Sequence, residues 1–215
     1  MGLRWLGKKG FRPGERSFLI LGLEGTSEEV DFQWRAIQRI FAPFSVFYLK
    51  EKTGQSWYRH RFENPYLRDT MMDYGLLIDT LETVTEWDYM ENLYLSVTGA
   101  IKGEYATLGI SGVVLAHLSH LYPAGSSLYF ILLATPNPEN ELVEWQALKK
   151  AASDVIARAG GAISHHHGVG LDHKPWMRYG IGSSGIELLR RIKQEIDPKN
   201  ILNPNKLLPD DDAME

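Results

Sequence analysis

The stretch SGVVLAHLSHLYPAGSSLYFILLATP, Ser111 to Pro136, restricts the fold more than any other part of the sequence. Two apolar runs rich in β-branched and aromatic residues flank YPAGSS, whose proline and glycine mark a turn, so the segment predicts a β-hairpin. Alternation puts Tyr129, Ile131 and Leu133 on one face and Leu128 and Phe130 on the other. Pairing Tyr122 with Ser127 across the turn sets His120 opposite Tyr129. YGLLIDTLETV adds a further strand pattern upstream. Helical patterns lie on either side of the hairpin. Trp87 to Leu108 reads as one helix ending near Gly109. NPENELVEWQALKKAASDVIARAGG reads as another, with Asn137 as cap and Pro138 in the first turn. Leu142, Trp145, Leu148, Ala152 and Val155 line one of its faces, and Gly160-Gly161 stops it. Strands clustered as hairpins with amphipathic helices between them predict an α+β fold, a largely antiparallel β-sheet covered by helices.

Nearer the N-terminus, SFLILGLEG (Ser17 to Gly25) and FSVFYLKE after Pro43 read as two more strands. Between them, Thr26 and Glu29 form a capping-box pattern, followed by Val30, Trp34, Ile37 and Phe41 at helical spacing. NPYLRD opens a turn at Asn64-Pro65, and a last helix starts from the Ser184/Glu187 capping pattern and halts before Pro198. The opening LRWLGKKGFRPGERSFLILGLEG reads as an entry into the middle of a larger domain, and the closing DDDAME as a solvated tail.

Composition removes several function classes. A net charge of -4 argues against a nucleic-acid partner, which calls for a basic face. No apolar run reaches the ~18 residues that a spanning helix requires. The absence of cysteine excludes disulfides, thiolate metal sites and cysteine nucleophiles, and fits a cytoplasmic protein. GIGSSG (Gly180, Gly182, Gly185) matches the dinucleotide spacing, but no strand precedes it, and it reads as a glycine-rich helix entry.

Three features carry chemistry. SHHHGVG sets His165, His166 and His167 between glycines, and three readings stand open: a metal nest, a surface loop, or a polar wall beside a ligand. Strand periodicity sends His165 and His167 to one side and His166 to the other, with His117 or His173 able to complete a metal site. Of nearby carboxylates there is only Asp172. Tyr129 brings a phenol among apolar neighbours, either as a structural hydrogen-bonding group or as a general acid or base. Arg68 is either an ion-pair partner of Asp69 or a fork for phosphate or carboxylate.

Taken in order, PYLRD, LLIDTLETVTEWD, AHLSHLYPAGSSLYF, SHHHGVG, HKPWM and EIDPKNILNPNKLL resemble the C-terminal part of FAD-linked oxidases of the vanillyl-alcohol-oxidase type, in the branch of the alkyldihydroxyacetonephosphate (alkylglycerone-phosphate) synthases. The resemblance implies a ferredoxin-like cap or substrate domain over residues 1–215, closing over FAD held by a flavin domain of the same or another chain. Residues 197–215 would be a tail reaching that domain. It implies proton transfer by Tyr129, binding of a small anionic substrate by Arg68, and a flavin-side wall of His165, His166 and His167. His166 and Asn203 would contact the cofactor. A membrane surface and a second copy of the chain are further candidate partners. The branch exchanges the acyl group of an acyl-dihydroxyacetone phosphate for a fatty alcohol, while other members oxidise their substrates.

Two alternatives remain. Flavin-dependent 2-hydroxy-acid dehydrogenases of the D-lactate and glycolate type bind a divalent metal through two histidines. Here His117 matches the first, but Tyr129 stands where the second belongs, so no metal is expected. The other alternative is a non-catalytic binding module. The sequence contains no glycine- and serine-rich cradle for the FAD pyrophosphate, so the chain alone is expected to bind FAD weakly and to be inactive. The C-terminal DAME is not a peroxisomal signal.

Overall fold

The hairpin lies at the centre of a three-stranded antiparallel sheet of order β1-β3-β2, formed by β1 (Leu77–Glu86), β2 (Ser111–Leu121) and β3 (Gly125–Thr135). This structure, a computed structural model, describes residues 3–12, 14, 16–63 and 66–210. They divide into two units, the first ending at Tyr66 and the second starting at Leu67.

The second unit contains the sheet. β3 is central and pairs with β1 from Leu77↔Ala134 to Glu86↔Gly125, and with β2 from Ser111↔Thr135. The inward face of β3 carries Leu128, Phe130, Leu132 and Ala134, all buried. Two long helices cover that face, α5 (Trp87–Leu108) and α6 (Glu141–Arg158). Leu93, Val97, Ile101 and Tyr105 of α5 and Leu148, Ala152 and Ile156 of α6 complete one core with Leu77 and Leu81 of β1. Each such aliphatic side chain contributes about 1.5–3 kcal/mol by leaving water. The Tyr105 hydroxyl donates to Val113 O at 3.3 Å and Leu133 O at 3.4 Å, and its burial pushes the phenol pKa up to about 12. α5 ends where Gly109 turns left-handed (φ 68°), as its sequence predicts.

The rest of this unit comprises α4 (Leu67–Asp73), α7 (Gly170–His173), a single 3-10 turn over Lys174–Trp176, and α8 (Met177–Ile196). After α8 the Asp197 carboxylate, buried and held down to about 2 by Lys193 Nζ, accepts the backbone N–H groups of Ile201 and Leu202 at 3.0 and 2.9 Å. Among the described residues of the first unit, α1 (Leu3–Lys8), α2 (Ser27–Phe41) and α3 (Glu51–His60) are α-helices. The predicted capping box starts α2, with Glu29 N–H bonded to Thr26 Oγ1 and Thr26 N–H to Glu29 Oε2. No helix among the described residues is long and apolar enough to cross a membrane.

Several expectations are corrected. Ser17 to Gly25 and Phe44 to Lys50 are not strands. Their apolar runs have no neighbouring strand to complete a ladder among the described residues, and Glu51 already belongs to α3. α6 starts at Glu141 with Asn140 as its cap position, because the Asn137 side chain accepts Glu139 N–H and closes a turn instead. Leu142 consequently sits in an exposed first turn, not on the buried face. α8 runs from Met177 but is broken at Gly182 (φ 68°, ψ 173°), so a new helical segment starts just after the break, close to the predicted Ser184/Glu187 start, with a further helical stretch before it. His117, not His120, lies opposite Tyr129: Tyr122 meets Gly125 and not Ser127, which moves the register by two residues, and a bulge between Ser119 and Leu121 moves it by one more. The Asn64-Pro65 turn and the end of the DDDAME tail lie outside the described residues.

Candidate functional site

The sheet face turned away from α5 and α6 carries the polar groups. The β pairing puts Glu82, Tyr129 and His117 in one row across the three strands, beside a second row of Val84, Ser127 and Ser119. The turn after α6 runs along β1, with Ala162 N–H bonded to Val84 O at 3.1 Å and His165 N–H to Glu82 O at 3.0 Å. Gly161 permits this approach, since a Cβ there would stand 2.8 Å from Thr83 Oγ1 and 3.2 Å from Leu93 Cδ2. Those two backbone bonds lay the three histidines over the end of the Glu82 side chain.

Glu82, only 3% exposed, is the hub. Its Oε1 accepts the hydroxyls of Ser127 at 2.8 Å and Ser119 at 3.0 Å, and lies 3.3 Å from His165 Nδ1 and 3.9 Å from His120 Nε2. Its Oε2 is 3.0 Å from His166 Nε2 and 3.1 Å from His167 Nε2. Burial alone would raise its pKa, but hydrogen bonds from Ser127, Ser119 and His165, with the charge on His166, outweigh that and hold the carboxyl below the usual range. The site therefore has one fixed negative charge surrounded by four imidazoles.

The three histidines do not alternate as a strand would; all of them turn toward Glu82. A tight turn, His167 N–H to His165 O at 2.7 Å with His166 at φ 46°, removes the alternation. The Tyr129 ring meets His167 edge-on at 5.8 Å between centroids. No hydrogen bond from another described residue reaches its hydroxyl. Next to His167 is a polar cavity of about 370 Å³, lined by Asp79, Lys149, His173 and Lys206 among others.

The remaining candidates stand apart from the hub. Arg68, on α4, is exposed and lies 3.9 Å from Asp69. Asn203 is exposed in the C-terminal loop, with φ 44°. His173 is buried and donates Nδ1–H to Val169 O at 3.0 Å, and burial holds its pKa below the ordinary imidazole value. Sequence reasoning passed over Glu82, took His120 as a partner of Tyr129 and used Tyr122 only to set the hairpin register. An acidic residue on the tyrosine face of a strand was the available signal for Glu82, but the histidine loop that meets it starts 83 residues further along the chain. Ligand atoms of Glu82, His120, His165 and His166 lie within 4.8 Å of one another, a spacing that admits a divalent ion.

Comparison with known proteins follows this geometry. The profile of the family described as FAD linked oxidases, C-terminal domain, matches residues 1–207. Alkyldihydroxyacetonephosphate synthase of Dictyostelium discoideum is 34% identical over 190 residues, 88% of this chain and 31% of the relative. The protein of the same name from Caenorhabditis elegans is 36% identical over 203 residues, 93% of this chain and 34% of the relative. A solved structure of an alkyldihydroxyacetonephosphate synthase superposes with a TM-score of 0.63 at 28% identity, covering 86% of this chain and 30% of that one. The chain thus spans about a third of the length of these relatives.

Proposed function

The chain belongs to the family of FAD-linked oxidase C-terminal domains, and from that premise we propose that it is the substrate-side cap of an FAD-dependent enzyme of the alkyldihydroxyacetonephosphate synthase type. The observation that carries this reading is the convergence of His165, His166 and His167 on buried Glu82 beside Tyr129, on the sheet face turned away from α5 and α6. A face of that kind suits a reaction between two bodies, one supplying acid–base groups and the other the cofactor.

The polar groups of the site fit the edge of a flavin, not its pyrophosphate. With Nε2–H of His166 and His167 donated to Glu82 Oε2, their Nδ1 atoms are left as acceptors for an N–H on a polar ring edge, while the glycine-rich turn at Gly182 follows a helical stretch instead of the strand that a dinucleotide cradle requires. The flavin domain would therefore lie outside these 215 residues. When bound there, FAD supplies an electron-accepting ring that can also serve as a covalent partner. On this reading Tyr129 holds or releases the substrate proton, the histidines keep the pocket polar and Arg68 binds the anionic end of the substrate. Residues 197–215 reach the flavin domain, with Asn203 as a contact.

A second reading, a flavin-dependent 2-hydroxy-acid dehydrogenase, is favoured by the close spacing of the Glu82, His120, His165 and His166 ligand atoms. Elemental analysis of untagged protein separates the two: one firmly held divalent ion per chain supports the dehydrogenase. The main experiment joins this chain to its flavin domain and follows flavin absorbance with acyl-dihydroxyacetone phosphate, 2-hydroxy acids and phenols. Tyr129→Phe is expected to abolish turnover with fold and flavin content unchanged. Normal turnover by that variant would remove Tyr129 from the chemistry.

A further inference from the structure

His165 differs from His166 and His167 in having partners at both ring nitrogens. Its Nδ1 lies 3.3 Å from Glu82 Oε1, and its Nε2 lies 3.2 Å from the Tyr122 hydroxyl. An ionised carboxylate can only accept, so Nδ1 carries the proton and donates it. In the neutral ring Nε2 is then an acceptor, and the phenol donates to it. The bonds run in one direction, from Tyr122 through His165 to Glu82. That is the order of an activated hydroxyl, its base, and the carboxylate that orients the base.

Separate constraints hold each member. Ser127 and Ser119 hydroxyls fix the Glu82 carboxylate. His165 is placed by its own N–H bond to Glu82 O. Tyr122 is placed by its N–H bond to Gly125 O at 2.8 Å and by Trp87 Nε1–H, which reaches Tyr122 O at 3.2 Å. The bulge decides which residue faces the site. Strict alternation from Ser119 would give that place to Leu121, but the extra residue, His120 at φ 45°, sets Leu121 against Ser126 and turns Tyr122 to the Glu82 side. Tyr122 is 45% exposed, so the chain of bonds runs from a buried charge to a hydroxyl that a ligand can reach. Tyr129, by contrast, has no proton acceptor among the described residues.

We propose that Tyr122, His165 and Glu82 form a proton relay whose working end is the Tyr122 hydroxyl, making Tyr122 a second acid–base residue of this site. A substrate H–X gives its proton to Tyr122 Oη while the phenol proton passes to His165 Nε2. The products are X⁻, a neutral phenol and an imidazolium held against the Glu82 carboxylate. The reverse path reprotonates X, and no electrons move. The groups facing the His165 ring are Glu82 from β1, His120 from β2, Tyr122 from the hairpin turn and His166 from its own loop, while His167 shares Oε2 of Glu82.

The role in turnover rests on this face being the reaction site, but the relay itself can be tested on the 215-residue chain. Ring-nitrogen NMR of the histidines at neutral pH reads the tautomer of each ring. His165 is expected as the Nδ1–H tautomer. Tyr122→Phe, a change at a half-exposed ring that leaves the fold intact, should move the Nε2 resonance of His165 and leave Nδ1–H in place. Glu82→Gln should move the Nδ1 resonance of His165, because the carboxylate that accepts its proton is gone. An Nε2–H tautomer, or a Tyr122→Phe spectrum identical to the original, overturns the relay. In the flavin-loaded enzyme, Tyr122→Phe should lower kcat about a hundredfold with KM within about twofold. Full turnover by Tyr122→Phe with none by Tyr129→Phe overturns the relay and leaves the site reading standing. Full turnover by both variants overturns both.

Discussion

Glu82 has the most consequences of any single residue, because four imidazoles and two hydroxyls depend on its charge. Its pKa lies below the ordinary carboxylate value in the folded chain, so it contributes stability at neutral pH that is lost as pH falls through the folded value. His173 works in the same direction: it is buried with a depressed pKa, and stability is lost as acid protonates the unfolded imidazole first. Tyr105 acts at the other end. Its pKa is raised from 10.0 to about 12, so its contribution is complete below pH 10 and disappears as pH climbs between those values. Denaturant unfolding across pH should therefore show an acid limb that is shallower in Glu82→Gln and an alkaline limb that is shallower in Tyr105→Phe. At neutral pH Glu82→Ala should cost about 3 kcal/mol, since it leaves buried hydroxyls and imidazoles without their acceptor. Arg68, exposed beside Asp69, does not contribute to the fold in this way. Arg68→Ala should leave the melting temperature within about 2 °C and raise KM for an anionic substrate about tenfold in the flavin-loaded enzyme, measured by steady-state kinetics.

At the scale of elements, close backbone approach sets the limits. Gly125 begins β3 where the chain leaves the turn, and a Cβ there would lie 2.1 Å from Thr85 O and 2.9 Å from Glu86 Cα. These atoms are backbone of the paired strand and cannot move without breaking the β1–β3 ladder. Gly125→Ala should lower stability by at least about 2 kcal/mol in thermal or chemical unfolding. Gly168 gives the contrast: nothing lies within 4 Å of a Cβ there, and only its φ of 78° opposes a side chain. Gly168→Ala should cost about 1 kcal/mol. Of the elements that periodicity identified, β1, β3, α5 and most of α6 send their apolar stripes into the core, while β2 adds only the partly buried Val114. Ser17 to Gly25 and Phe44 to Lys50 have the composition of strands without a ladder, which composition cannot reveal.

At the scale of the molecule, the sheet of the second unit has one face covered by α5 and α6 and another that carries the Glu82 row. Beyond the Glu82 row that face becomes apolar, with Val113 and Leu115 about half exposed on β2 beside Leu133 and Ile131 of β3. On the proposed reading, the flavin domain docks on that face. Alone, the 215 residues should leave the fluorescence of added FAD unquenched at micromolar concentration. Joined to the flavin domain, Val113 and Leu115 should lose reactivity in hydroxyl-radical footprinting. Periodicity, glycine stops and the Thr26/Glu29 box determined where helices and strands form, because those signals act over a few residues. The order of PYLRD, LYF and HHHG likewise marked the family before any coordinate was needed. What only the tertiary structure decided is the site. It depends on a one-residue bulge that turns Tyr122 inward and on two backbone bonds that bring His165 over Glu82, 83 residues earlier in the chain. No local pattern encodes such a meeting, because the charge that organises the histidines belongs to a strand whose position is set by the packing of the whole core.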